Sequence, residues 1–290
     1  MRTCTAFVAV AALLVCACGR GGPASADRRE FKLQGQIISV SADHKDVVIK
    51  HEDIAGFMSA MTMSYHAREV KELAPLAPGD LINATLVVEA RDAFIQSVKK
   101  VGEAPLERAP GSGATAGMNI LPAGAPVPSV PLVDSNGKAV SLESFRGSAV
   151  VVTFTYTSCP MPNQCPLLDR HFVAIQKKLQ VEGNRLRAHL LTVTIDPARD
   201  TPAALKAYAA QLGADPALWT FATGTQQVVD EWASRFGVSV SRASKVPSDI
   251  THNLRTAIID RQGNLVRTYS GSEWTPEQLL GDVKGMVAVD

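Results

Sequence analysis

The chain has 290 residues, enough for two domains with separate cores, and its 29 Lys and Arg nearly balance its 28 Asp and Glu for a net charge of +1. That balance gives no electrostatic footprint for nucleic acid or for an anionic membrane surface, which excludes both as expected partners. Hydrophobic residues make up 46%, an ordinary globular value inflated by the apolar N-terminus.

Residues 1–18 read as an export signal. Arg2 supplies the positive charge, and Ala6–Val15 is an apolar run short of the ~20 residues a membrane span needs. Val15-Cys16-Ala17-Cys18 resembles a bacterial lipobox, whose cysteine becomes the lipidated first residue; cleavage near Ala24-Ser25-Ala26 is the alternative. Of the five cysteines, Cys4 and Cys16 then leave with the signal and Cys18 carries lipid. Cys159 and Cys165 remain as a pair in an oxidising compartment. The expected location is the periplasmic side of a bacterial membrane, held by a lipid anchor.

Strand-like alternation recurs next, in Gly35–Val40, Asp46–His51, Ala60–Tyr65, Ile82–Val88 and Phe94–Val98. Polar or glycine-containing breaks separate several of them, so residues 31–102 predict a small five-stranded barrel or sandwich. Met61 and Met63 share one strand face, because alternate residues point the same way. His51 ends the preceding strand, and Met58 lies in the connection. Thioethers beside an imidazole suit Cu(I) or Ag(I); filling of a small barrel core by methionine is the alternative. Residues 103–127, dominated by Gly, Ala and Pro, read as a linker.

Residues 128–290 alternate strand and helix. Val130–Gly137 reads as a hairpin arm and turn, and Ala149–Tyr156 as a buried strand. A helix follows from Pro166 to Val181, with Leu168, Phe172, Ile175 and Leu179 on one face. Then come a strand, Arg187–Ile195, a helix, Thr201–Leu212, closed by Gly213, and a helix, Thr225–Phe236. A hairpin, Leu254–Asp260 with Leu265–Tyr269, and a helix, Thr275–Met286, end the chain. A βαβ unit followed by a hairpin and a helix predicts an α/β, thioredoxin-like sheet. Asp196 and Asp200 are read as neighbours of the site or partner contacts, with an N-cap for the helix beginning at Thr201 the preferred reading of Asp200.

Cys159-Pro-Met-Pro-Asn-Gln-Cys165-Pro is the stretch richest in chemistry. Pro160 and Pro162 exclude a continuous helix between the thiols. The expected geometry has Cys159 closing the strand and Cys165 at the helix N-terminus, where the helix dipole lowers a thiol pKa. Dithiol exchange and capture of Cu(I) both suit such a pair. An inert staple is the weaker alternative, since so short a closed loop removes little unfolded-chain entropy. Met161, inside the loop, offers a thioether but is expected to pack. His44 in a turn, His66 past the third strand, His171 on a helix and His189 in a strand are read as structural or solvated.

Residues 128–288 resemble the Sco/SenC family of thioredoxin-fold copper metallochaperones. The resemblance rests on Phe154-Thr-Tyr-Thr-Ser-Cys-Pro160, Thr194-Ile-Asp-Pro-Ala-Arg-Asp-Thr-Pro202 and Thr251-His-Asn-Leu-Arg-Thr-Ala-Ile-Ile-Asp260. It implies a Cu(I) site at Cys159, Cys165 and His252. The family's usual motif places three residues between its cysteines, whereas this chain has five. Residues 33–101 resemble CusF-type periplasmic copper-binding barrels through His51-Glu-Asp-Ile-Ala-Gly-Phe-Met-Ser-Ala-Met-Thr-Met63, which implies ligands at His51, Met61 and Met63. The tryptophan of that family has no counterpart here, and Phe57 or Met58 stands in its space.

Together these resemblances imply an exported metallochaperone with two Cu(I) sites, a copper donor and a copper recipient. The implied recipient is the copper centre of a respiratory oxidase, with periplasmic copper homeostasis as the other setting. A thiol–disulfide oxidoreductase acting on a client's cysteines is the rival from another class, and a redox or copper sensor is a third reading. Thioredoxin-like folds host the first two activities alike.

Overall fold

The computed structural model describes residues 28–106, 119–242 and 250–287. The export signal with Cys18, and residues 107–118 of the expected linker, lie outside the described residues.

Five strands form the first unit: β1 (Arg29–Val40), β2 (Asp46–His51), β3 (Met61–Ala67), β4 (Asp80–Val88) and β5 (Ala93–Glu103), with a single helical turn, α1 (Val70–Leu73), before β4. They close into a barrel in the order β1-β2-β3-β5-β4. Alternation decides what faces in: Val47, Ile49 and His51 are buried along β2, and Tyr65 and Ala67 along β3. Leu33, Ile37, Leu86 and Ile95 complete a core that excludes solvent. Gly35 pairs with His51 across β1 and β2. A Cβ at Gly35 would stand 2.6 Å from the Lys50 carbonyl oxygen and 2.8 Å from the His51 Cα, so the bare backbone is what lets β1 cross His51 closely. β5 runs past the expected end at Val98, because its pairing with β4 shifts register twice. Such bulges break the period of two by which a strand is recognised in sequence.

The second unit is a seven-stranded sheet in the order β14-β13-β8-β9-β10-β6-β7. Its strands are β6 (Leu132–Asp134), β7 (Ala139–Val140), β8 (Ala149–Thr155), β9 (Ala188–Thr194), β10 (Trp219–Thr223), β13 (Arg255–Ile259) and β14 (Leu265–Ser270). β8, β9 and β10 run parallel, and β13 returns antiparallel to β8. Helices α2 (Cys165–Glu182), α3 (Pro202–Leu212), α4 (Gln226–Arg235) and α5 (Pro276–Val287) connect or follow the strands. A two-strand ribbon, β11 (Val240–Ser241) with β12 (Thr251–His252), lies outside the sheet. All of β8 is buried. Phe154 meets Trp232 edge-on at 5.7 Å, and Phe172 packs on Trp219 at 5.6 Å. These contacts anchor β8 and α2, the two elements that carry the cysteine loop. Trp274 is also buried, against Tyr269 and His171.

Each expected helix is present to within about two residues. β10 has no forecast because it is short and buried, with no alternation to mark it. Asp200 is not the cap of α3: Thr201 is, its hydroxyl accepting from the Ala204 N–H at 3.3 Å. Asp200 is buried and turned the other way. It accepts from the Thr157 N–H at 3.1 Å, from the Thr157 hydroxyl at 2.5 Å and from the Thr194 hydroxyl. The carboxylate thus ties the end of β9 to the turn that leads into Cys159. Asp200→Ala is expected to destabilise the fold by about 2–4 kcal/mol, since each buried donor left unsatisfied costs about 1–3 kcal/mol. Urea titration of the variant measures it, and a loss below about 1 kcal/mol would contradict the assignment. Among the described residues, no helix is long and apolar enough to cross a membrane.

Candidate metal centre

β8 stops at Thr155, so Cys159 does not close the strand; it follows a turn in which its N–H donates to the Tyr156 carbonyl at 3.3 Å. Cys165 is the first residue of α2, with Pro166 next to it. Both thiols are free, Cys165 fully buried and Cys159 half-buried. The Cys165 Sγ lies 3.5 Å from His252 Nε2. Two donors bound about 2.0–2.3 Å from one ion stand roughly 3.5–4 Å apart, so this spacing already suits a shared cation.

The other ring nitrogen of His252, Nδ1, is 3.2 Å from the Asn253 carbonyl. A carbonyl only accepts, so Nδ1 carries the proton and the Nε2 lone pair faces Cys165. Burial holds the imidazole neutral, its pKa pushed down to about 4. The two thiols differ in the opposite sense to the helix-dipole expectation. Cys159 is lowered to about 7, chiefly by the Cys165 thiol beside it. Cys165, at the helix N-terminus, is raised because complete burial outweighs the dipole. Tyr156, whose ring meets that of His252 edge-on at 5.7 Å, walls the pair from the sheet side.

In the barrel, Met61 pairs with His51 and Met63 with Ile49 across β2 and β3, so all three expected ligands lie on the inner face. His51 Nδ1 is 2.7 Å from the Glu52 carbonyl. Its Nε2 is buried with no hydrogen-bond partner, and burial lowers its pKa. An orphaned imidazole lone pair opposite a thioether fits a soft monovalent cation. Met58 is buried, with its Sδ 3.9 Å from the Tyr65 hydroxyl, and Phe57 stacks on Phe31 at 4.5 Å.

The two expected ligand sets face one another. A cavity of about 120 Å³ is lined by Met58, Met61 and Met63 from the barrel and by Cys159, Met161 and His252 from the sheet domain. Cys165 lies behind its wall against His252. His51 borders a different groove, with Gln34 and Lys50. Among the described residues, no three His, Cys, Asp or Glu side chains are drawn into one metal-ligand cluster. Cys159 with Cys165, and Cys165 with His252, meet as pairs.

The remaining histidines stay apart from this cavity. His44 sits in a turn with φ 55°, and His171 meets Trp274 edge-on. His189 stacks on Phe145 at 4.4 Å. His66 lies inside β3 rather than beyond it, 3.2 Å from Asp46. Sequence reasoning missed Tyr156, and for Asp200 it preferred the helix cap to the site-neighbour reading that the bonds to Thr157 favour. It placed Met161 in loop packing, whereas Met161 packs into the core of the barrel.

Residues 127–288, more than half of the chain, match the SCO1/SenC family. The chain belongs to the SCO1/SenC family. Residues 30–100 of this Sco protein match the copper-binding periplasmic protein CusF, so its closed barrel is a CusF-type copper-binding domain. The Sco protein is 29% identical over 153 residues to the SCO1 protein homolog of Bacillus subtilis (strain 168), covering 52% of this chain and 77% of that relative. It is 27% identical over 161 residues to the mitochondrial SCO2 homolog of Mus musculus, covering 54% and 60%. Among solved structures it shares its fold with the SCO1/SenC family lipoprotein of Bacillus anthracis str. Ames, at TM-score 0.51 and 22% identity over 56% of this chain and 95% of that one. It also matches BsSco, a member of the Sco family of cytochrome c oxidase assembly proteins, at TM-score 0.50 and 26% identity over 59% and 99%. The barrel and the thioredoxin-like Sco domain expected from sequence are thus both present.

Proposed function

We propose that this Sco protein is an exported Cu(I) metallochaperone that holds the ion at Cys159, Cys165 and His252 and passes it to a partner. The observation that carries this reading is the neutral Nε2 of His252, aimed at the Cys165 sulfur 3.5 Å away. Two thiolates and an imidazole form a soft, low-coordinate donor set for Cu(I). Loading displaces the thiol protons, so affinity rises with pH. Cys159 loses its proton near neutrality, and the charge of the ion offsets the cost of ionising buried Cys165.

The barrel is a second Cu(I) site, built from His51, Met61 and Met63 with Met58 at its wall. It spans 31–102, is joined through 103–127, and feeds the thioredoxin-like domain of 128–290. Cys18 carries the lipid that holds the protein at the periplasmic side of its membrane. The partners are a copper donor and a copper recipient, the latter a subunit of a respiratory oxidase whose copper centre is being assembled; periplasmic copper homeostasis is the alternative setting. The place of BsSco among the cytochrome c oxidase assembly proteins supports the first.

Cu(I) titration of the reduced protein against a chelator of known affinity tests the reading. His252→Ala is expected to weaken the Cys site at least about 10–100-fold, the range that losing even an outer partner of a ligand costs. A second reading, dithiol reductase, is favoured by the unequal thiols, one ionisable and half-buried, the other protonated and buried. Undiminished Cu(I) binding in His252→Ala together with rapid disulfide turnover would select it.

A further inference from the structure

Met161 belongs by sequence to the thioredoxin-like domain, two residues after Cys159, yet its side chain is 2% exposed and packs among the core residues of the barrel. Polar contacts on both sides hold it there. The Asn163 side-chain amide donates to the Ala93 carbonyl at the start of β5, at 2.8 Å. Arg170 donates to the Arg91 carbonyl at 3.2 Å and to the Pro162 carbonyl at 3.0 Å. Ser272 donates to the Asn163 carbonyl at 3.4 Å. The loop between the cysteines therefore takes part in docking the two domains, with Met161 and Asn163 from the loop and Arg170 from α2 making contacts to the barrel. Met161 also lines the cavity that Met61 and Met63 line from the opposite wall.

Packing accepts leucine and methionine alike in an apolar pocket of that size, so the place of the thioether on the cavity wall is what points to a ligand. We propose that Met161 joins His51, Met61 and Met63 as a further ligand of the barrel's soft monovalent cation, which moves from these thioethers to Cys159. The inference rests on the metallochaperone reading and deepens it. The move is a ligand exchange with no change of oxidation state. A metal–thioether bond breaks, a bond to the Cys159 sulfur forms, and the Cys159 proton goes to solvent. The Cys159 sulfur is 3.9 Å from the Met161 carbonyl oxygen, so the two donors flank one short piece of backbone. Cys165 and His252, behind Cys159, then complete the final site.

The test uses the full chain carrying Cys159→Ser and Cys165→Ser, so that only the barrel site remains, titrated with Ag(I). X-ray absorption is expected to count one sulfur fewer around silver when Met161→Leu is added, and Ag(I) affinity is expected to fall about tenfold or more. Methyl NMR of methionine-labelled protein should move the Met61, Met63 and Met161 signals together, saturating at one equivalent. Sulfur number and affinity unchanged in Met161→Leu, with Met61 and Met63 still shifting, would overturn the role of Met161 and leave the barrel site standing. No methionine shift at all would overturn the barrel site itself, and the inference with it. The near-isosteric Met161→Leu keeps the docked packing, so a lost sulfur reports the ligand and not the fold.

Discussion

Iodoacetamide added to the reduced, metal-free protein at neutral pH should label Cys159 and leave Cys165 untouched. Alkylation requires a thiolate that the reagent can reach. Cys159 is half-buried, lines the interdomain cavity and has its pKa lowered to about 7 by the Cys165 thiol beside it. Cys165 has no exposed surface, and its pKa is raised by burial. The labelling rate should be half-maximal near pH 7 and fall about tenfold per unit well below it. Peptide mass spectrometry after short exposure reads the site directly. Cys165 should react only once denaturant opens the fold, and in Cys159→Ser the native protein should resist labelling altogether. Prior loading with one equivalent of Cu(I) per site should protect Cys159. Equal labelling of both cysteines in the native protein would refute the asymmetry on which the metal site and the reductase reading both draw.

The second large effect is a loss of stability on mild acidification. His189 and His252 each have a folded pKa pushed down to about 4 by burial, against an ordinary value near 6.5. The unfolded chain therefore binds more protons between those limits. Stability is fully present above about pH 6.5 and is lost as pH falls towards 4, at up to about 1.4 kcal/mol per unit for each ring. Asp169 acts in the opposite sense. It lies beneath the site on α2, accepts from the Tyr208 hydroxyl at 2.6 Å, and burial raises its pKa to about 6. Its protonation favours the fold as pH falls from 6 towards 3.8. One carboxyl offsets about one histidine, so these three groups leave a net loss of about 3 kcal/mol between pH 6.5 and 4, to which His51 and His171, also lowered by burial, add in the same sense. Urea midpoints at several pH values should show it, and His189→Gln should remove roughly half of what His189 and His252 contribute together. A pH-independent midpoint across that window would contradict the burial of both rings.

The fold was legible where local pattern and tertiary role agree. The period of two in Asp46–His51 and the 3.6-residue stripe Leu168, Phe172, Ile175 and Leu179 each describe an element with one buried face, and both elements are present. The pattern is silent where an element is buried on both faces, as in β10, or interrupted by bulges, as in β5. For the site, residue types named the candidate donor atoms, and the shared face of Met61 and Met63 followed from alternation alone. The face-to-face placement of the two donor sets did not, because it depends on how the domains dock and no local period encodes that. Asp200 shows the same limit. Next to Thr201-Pro202 it resembles a helix cap, but its partners, Thr157 and Thr194, lie on two other strand ends that only the assembled sheet brings near.

All three tryptophans of the chain, Trp219, Trp232 and Trp274, are buried in the sheet domain, and the barrel has none. Indole emission is therefore an optical label for one half of the molecule that needs no engineering. A melt followed by fluorescence reports the sheet domain alone, while far-ultraviolet dichroism reports both halves. Any gap between the two curves gives the order in which the halves come apart, and coincident curves show a single cooperative unit.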